Sequence, residues 1–256
     1  EEVRLYRTRT EEQIERSLLI FQTQFGTRRV AELFRPQGEG PFPSLLYLHW
    51  YEPASSDSNR SQFAAEAAEL ARQGAISLTV ETLWSDPDFF IKRTQADDIR
   101  NSQQEVIILR RFLDFLVSQS GVDRERVALV GHDFGGMYGV LAGNLDRRPS
   151  HYVIMAATPR FPDWYLYAPE LEGQQREDFI REFSPLDPIL NVAGLAPAPI
   201  LFQFGTDDPH VPVQRAEEFF AAAREPKLMK WYEAGHGLNE QAAADRKLWL
   251  KEQLGL

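Results

Sequence analysis

The sequence predicts an α/β fold: a mainly parallel, doubly wound sheet with a short helical lid. Three observations carry this. Apolar, strand-length runs alternate with helical-period segments through most of the 256 residues. A glycine-rich turn, Gly131-His132-Asp133-Phe134-Gly135-Gly136, joins one of those runs to a helix. A long break rich in proline and aromatic residues, Ala157 to Val192, interrupts the alternation.

In chain order, Ile14 to Gln22 and Arg29 to Phe34 read as two strands around the turn Phe25-Gly26-Thr27. Pro36 to Pro43 is a loop, and the buried strand Ser44 to His49 follows it at once. Ser61 to Arg72 reads as a helix ending near Gly74, and Ala75 to Val80 as a strand. Asp98 to Ser118 is a long amphipathic helix, with Ile99, Val106, Leu109, Leu113, Leu116 and Val117 on its apolar stripe. Strands at Arg126 to Val130 and Tyr152 to Met155 bracket a helix at Gly135 to Leu145. Past the break come a strand from Pro199, a helix at Val213 to Ala223, a strand at Leu228 to Tyr232 and a helix at Leu238 to Leu254. A single domain over 1–256 is expected, with a lid insertion at about 158–192.

Composition narrows the function. Acids outnumber bases 38 to 28, a net charge of −10. A nucleic-acid binder would show a basic face, and an anionic membrane surface would repel this chain. Cysteine is absent, so neither thiolate zinc sites nor a cysteine nucleophile exist. The Asp207/Asp208/His210 group has no metal-ligand partner elsewhere, so neither a metal nor another cofactor is expected. The start Glu1-Glu2-Val3-Arg4 has no apolar signal core. A cytoplasmic location is the expectation, with a trimmed leader left open because no Met begins the chain. The expected partner is a small-molecule substrate, and a homodimer is one reading of an open oligomeric state.

The chemistry concentrates at three strand ends, where ligands of such sheets bind. Gly131 and Gly135 permit a sharp strand-to-helix turn that projects Asp133 from the top of the sheet. Further on stand Gly205-Thr206-Asp207-Asp208-Pro209-His210-Val211-Pro212 and Glu233-Ala234-Gly235-His236-Gly237. The order nucleophile, acid, histidine gives Asp133, Asp208 and His236, with Asp207 as the competing acid. His132 is expected to pack behind the turn and His210 to lie at the surface.

With Leu46-Tyr47-Leu48-His49, these segments resemble the α/β-hydrolases, and in detail the dienelactone hydrolase and prolyl-oligopeptidase-like branch. The resemblance implies Asp208 as the acid. That branch usually has Ser or Cys where Asp133 stands. Asp there is similar to haloalkane dehalogenases, fluoroacetate dehalogenases and epoxide hydrolases. Those read Gly-His-Asp-Trp-Gly or Gly-His-Asp-Arg-Gly, where this chain has Phe134, and His-Gly-x-Pro where it has His49-Trp50-Tyr51-Glu52-Pro53.

An aspartate attacks sp3 carbon well when a halide or a protonated epoxide oxygen leaves, giving an alkyl-enzyme ester. His236, oriented by Asp208, would then activate water to cleave it. Backbone N–H groups of Phe134 and of Trp50 or Tyr51 would hold the oxyanion. Indoles of Trp50, Trp84 and Trp164 could receive a halide, and phenols of Tyr165 and Tyr167 an epoxide oxygen. Trp84, Trp164, Tyr165, Tyr167 and His49 are therefore candidate substrate-binding residues, His49 rather as an orderer of the oxyanion loop. Two alternatives stay open. One is an esterase or lactonase of dienelactone hydrolase type whose nucleophile is replaced, naturally or by engineering. The other is a non-catalytic ligand-binding homologue.

Overall fold

The computed structural model describes residues 2–57 and 59–256. Three antiparallel strands lead: β1 (Glu2–Glu11), β2 (Ile14–Gln22) and β3 (Arg28–Pro36). Then come β4 (Phe42–Leu48), α1 (Ala64–Arg72), β5 (Ile76–Val80), α2 (Phe89–Lys92), α3 (Gln95–Val117), β6 (Val122–His132), α4 (Phe134–Leu145) and β7 (His151–Met155). The lid follows as α5 (Pro162–Tyr165), α6 (Gly173–Phe183) and α7 (Pro188–Asn191), with 3-10 turns at Ser184–Leu186 and Val192–Leu195. The chain closes with β8 (Ile200–Gly205), α8 (Val213–Ala222), β9 (Lys227–Tyr232) and α9 (Glu240–Leu254).

The nine strands lie in the order β1-β2-β3-β5-β4-β6-β7-β8-β9. Every pairing from β5 to β9 is parallel. The period of two along each strand sorts side chains between two cores. Leu46, Leu48 and Leu129 meet α3 and α4 through Leu109, Phe112 and Met137. Leu45, Tyr47, Ala128 and Val130 meet α1 and α9 through Leu70, Leu250 and Leu254. This is the mainly parallel, doubly wound sheet with a helical lid that the alternation predicts.

The structure departs from the expected outline at α2, which no sequence element anticipates, at α1, which begins at Ala64 and not at Ser61, and at two larger features. β1 was not visible as a strand, because nearly all of it is exposed and no apolar face marks its period. The lid is helical as expected but runs three residues further, to Leu195.

The first half of the lid is firmly held. Arg93, 2% exposed, pairs with the equally buried Asp98 at 2.6 Å. It also donates to the carbonyls of Tyr165 and Ala168, at 3.0 and 2.5 Å, so α5 is tied to the start of α3. By contrast, only Phe179 and Phe183 of α6 are buried.

Candidate active site

β6 ends at His132 and α4 begins at Phe134, so Asp133 alone carries the reversal. Its φ of 53° and ψ of −120° are unusual for a residue with a side chain. Such backbone costs about 1–3 kcal/mol and persists only where neighbours enforce it. Here the Asp133 N–H donates to the Met155 carbonyl at 2.8 Å, and the Met137 N–H to the Asp133 carbonyl at 3.0 Å. The flanking glycines are demanded by space. A Cβ on Gly131 would collide with the Gly135 carbonyl, and one on Gly135 with the Leu48 carbonyl.

Asp133, Asp208 and His236 come together at the tops of β6, β8 and β9. His236 Nδ1 donates to Asp208 Oδ2 at 2.8 Å. Its Nε2 lies 3.9 Å from Asp133 Oδ1, and both of those atoms are buried without a hydrogen-bond partner among the described residues. The other Asp208 oxygen accepts from the His210 and Val211 N–H groups at 2.8 and 3.2 Å, fixing the carboxylate. Asp207 is exposed.

Burial alone would lower the His236 pKa. The carboxylates of Asp133 and Asp208 outweigh it and raise the pKa to about 9. Burial likewise opposes ionisation of Asp208, but the His236 hydrogen bond and charge, with two N–H donors, hold its pKa low. His236 is therefore protonated in the resting site at neutral pH. Its folded pKa lies above the unfolded value of about 6.5. The stabilisation it brings is complete below pH 6.5 and is lost as pH rises through about 9. Asp133→Asn should lower the His236 pKa by about 1–3 pH units, as loss of an adjacent opposite charge does. NMR titration of the His236 ring checks this; an unchanged pKa would remove Asp133 as a cause.

Behind the site runs a hydrogen-bond chain that the sequence pattern does not announce. Gln62 accepts from the Trp50 N–H at 3.0 Å and donates to His132 Nδ1 at 2.6 Å. His132 Nε2 donates to the His236 carbonyl at 2.8 Å. Burial drives the His132 pKa down to about 3, with the neighbouring His236 charge acting in the same direction, so His132 stays neutral. Gln62 lies in the turn before α1, and no motif marks it.

Several expected site residues stand elsewhere or are already engaged. The Trp50 N–H is taken by Gln62, so it is not free for an oxyanion; the indole instead stacks on His236, with centroids 5.4 Å apart and planes at 8°. Trp84 is buried in the core and its Nε1–H donates to the His49 carbonyl at 2.8 Å, which removes it as a substrate donor. His49 donates through Nδ1 to the Trp50 carbonyl at 2.6 Å and accepts from the Ser85 hydroxyl at 2.7 Å. Burial lowers its pKa to about 4, and it orders the loop rather than meeting substrate. Tyr165 is fully buried, with its hydroxyl bonded to Tyr138 at 2.6 Å. Tyr167 is 67% exposed and lines a separate cavity of about 450 Å³ with Arg160, Asp163, Arg176 and Arg215.

What remains near the carboxylate is an aromatic wall. The Trp164 ring lies 5.7 Å from His236 and 5.8 Å from Phe134, and its buried Nε1 has no partner among the described residues. His210 is exposed as expected, yet packs 5.1 Å from Trp164 and 5.2 Å from His236.

The prolyl oligopeptidase family profile matches residues 100–255, a span holding Asp133, Asp208 and His236. The chain belongs to the prolyl oligopeptidase family. This prolyl oligopeptidase family member is a hydrolase of the α/β-hydrolase type. Among solved structures it is similar to an acetyl xylan esterase from Paenibacillus sp., with TM-score 0.79 and 18% identity over 99% of this chain and 88% of that one. It is similar also to acetyl xylan esterase 1 from Thermoanaerobacterium sp., with TM-score 0.74 and 16% identity over 98% and 88%. A cold-adapted esterase from an Arctic intertidal metagenomic library gives TM-score 0.70 and 14% identity over 97% of each chain. At these identities the likeness is one of fold. No match was found among curated proteins.

Proposed function

We propose that this hydrolase uses Asp133 as a nucleophile on an sp3 carbon bearing a halide, with His236 and Asp208 completing the triad. The observation that carries the reading is a carboxylate on the strained turn, one oxygen unpartnered and 3.9 Å from an unpartnered His236 Nε2.

An oxygen of Asp133 forms a bond to carbon as the carbon–halogen bond breaks, and halide leaves with the electron pair. Trp164 supports the departure, since its buried indole N–H has no other acceptor. Esterification removes the Asp133 charge, one of the causes holding the His236 pKa up. His236 can then lose its proton and serve as base when water attacks the ester carbonyl carbon. The oxyanion falls near the start of α4, where the Phe134 N–H and the helix dipole favour negative charge, with the Tyr51 N–H as second donor. Collapse returns Asp133 and an alcohol, and the net change is replacement of halide by hydroxide. The epoxide variant is disfavoured, because Tyr165 is bonded to Tyr138 and Tyr167 faces solvent.

A second reading draws on the esterase architecture of the structural neighbours. There Asp133 would act as a base on water. As a nucleophile on an ester it would mostly be expelled again, carboxylate leaving more readily than alkoxide. One turnover of 1-bromobutane or bromoacetate in oxygen-18 water, followed by peptide mass spectrometry, separates the two. The proposal expects the label in the Asp133 carboxylate. Halide release with label only in the alcohol would contradict it. Cleavage of an activated aryl ester with no halide release would favour the second reading.

A further inference from the structure

The antiparallel end of the sheet carries a cavity of about 220 Å³ lined by Arg7, Arg9, Arg16, Glu32, Asp57 and Arg60, among others. Strand register builds its floor. Arg7 stands opposite Leu18, and Leu18 opposite Glu32. In the next row of the same face Arg9 stands directly opposite Arg16. Like charges so placed repel each other. Glu32 relieves part of this, with Arg16 at 2.9 Å, Arg9 at 3.8 Å and Arg60 at 3.9 Å. Glu11 at the rim pairs with Arg9 at 3.1 Å and Arg16 at 3.4 Å. Asp57 lines the same cavity. Arg7 forms no ion pair among the described residues, and the lining holds four guanidiniums against two carboxylates, with Glu11 beside it and Glu81 within Coulombic reach of Arg60.

We propose that this cavity binds a small oxyanion: inorganic phosphate, or the phosphate head of a small phosphomonoester. Guanidinium forks match tetrahedral oxyanions in geometry and charge. The cavity is smaller than the roughly 300–1,000 Å³ typical of organic-ligand pockets, a size suited to one phosphate group. The negative charge of the whole chain opposes a long polyanion, while a small ion in the recess meets mainly the local arginines. The site is independent of the chemistry proposed for Asp133.

The test is titration calorimetry at low ionic strength with inorganic phosphate and with glycerol 3-phosphate. It compares the native chain with Arg7→Gln and Arg60→Gln, and circular dichroism confirms that each variant is folded. Saturable binding of one equivalent is expected, weakened about tenfold or more in each variant by loss of a charge-assisted contact. Tighter binding of glycerol 3-phosphate would identify a phosphomonoester head as the ligand, and equal binding the free ion; either supports the site. Absence of saturable binding of both anions to the native chain would overturn it, as would affinities unchanged in both folded variants.

Discussion

His236→Gln is expected to hold the enzyme at its alkyl-ester stage, so that one fast turnover is followed by very slow ones. In the proposed mechanism the first half-reaction needs only the Asp133 carboxylate and a leaving group, and neither is removed. The second needs a base for water, and Gln supplies none. With 1-bromobutane the variant should release one equivalent of bromide per chain and gain the mass of one butyl group on the peptide containing Asp133. Steady-state turnover should fall on the order of 10²–10⁴-fold, the usual worth of a positioned base. Rapid-quench bromide assay and intact mass spectrometry read both. A variant that releases no bromide even in the first turnover, or releases it without an adduct, would remove Asp133 as the nucleophile.

The second large effect concerns the turn itself. Gly135→Ala should destabilise the fold by roughly 3 kcal/mol or more, since the new methyl group meets rigid backbone at Leu48. For a chain of this size that corresponds to a Tm lower by roughly 6–12 °C. Gly235→Ala makes a pointed contrast. Gly235 stands beside His236 in an equally suggestive motif, yet its Cβ would meet nothing nearer than 3.9 Å. Its cost should stay below about 1 kcal/mol. Thermal denaturation of both variants decides. If Gly135→Ala melts with the native chain, backbone approach is not what requires the glycine.

The strands and helices that bury one face were readable because burial imposes a period. β1 was not, because neither of its faces is covered. The grouping of Asp133, Asp208 and His236 could be anticipated because each follows a strand that a parallel sheet delivers to the same end. The fate of the aromatic residues could not. Trp84 and Trp164 are the same residue type near the same site. One indole N–H is satisfied by the His49 carbonyl and the other has no partner, a difference set by tertiary backbone placement. The role of Gln62 is unmarked in the sequence for the same reason. Its two partners, the Trp50 N–H and His132, lie 12 and 70 positions away.

Arg93 anchors the first half of the lid, and the second half leans on it, with the Phe183 ring 5.3 Å from Phe161 and 5.1 Å from Tyr165. Because α5 is bolted to α3, the Trp164 wall is held beside His236 from the body of the protein. The helix α6 begins at Gly173 and buries two phenylalanines, Phe179 and Phe183. Residues 173–183 are therefore not a part that can be redesigned alone, because a change at Phe183 reaches Tyr165 and, one residue on, the Trp164 wall beside His236.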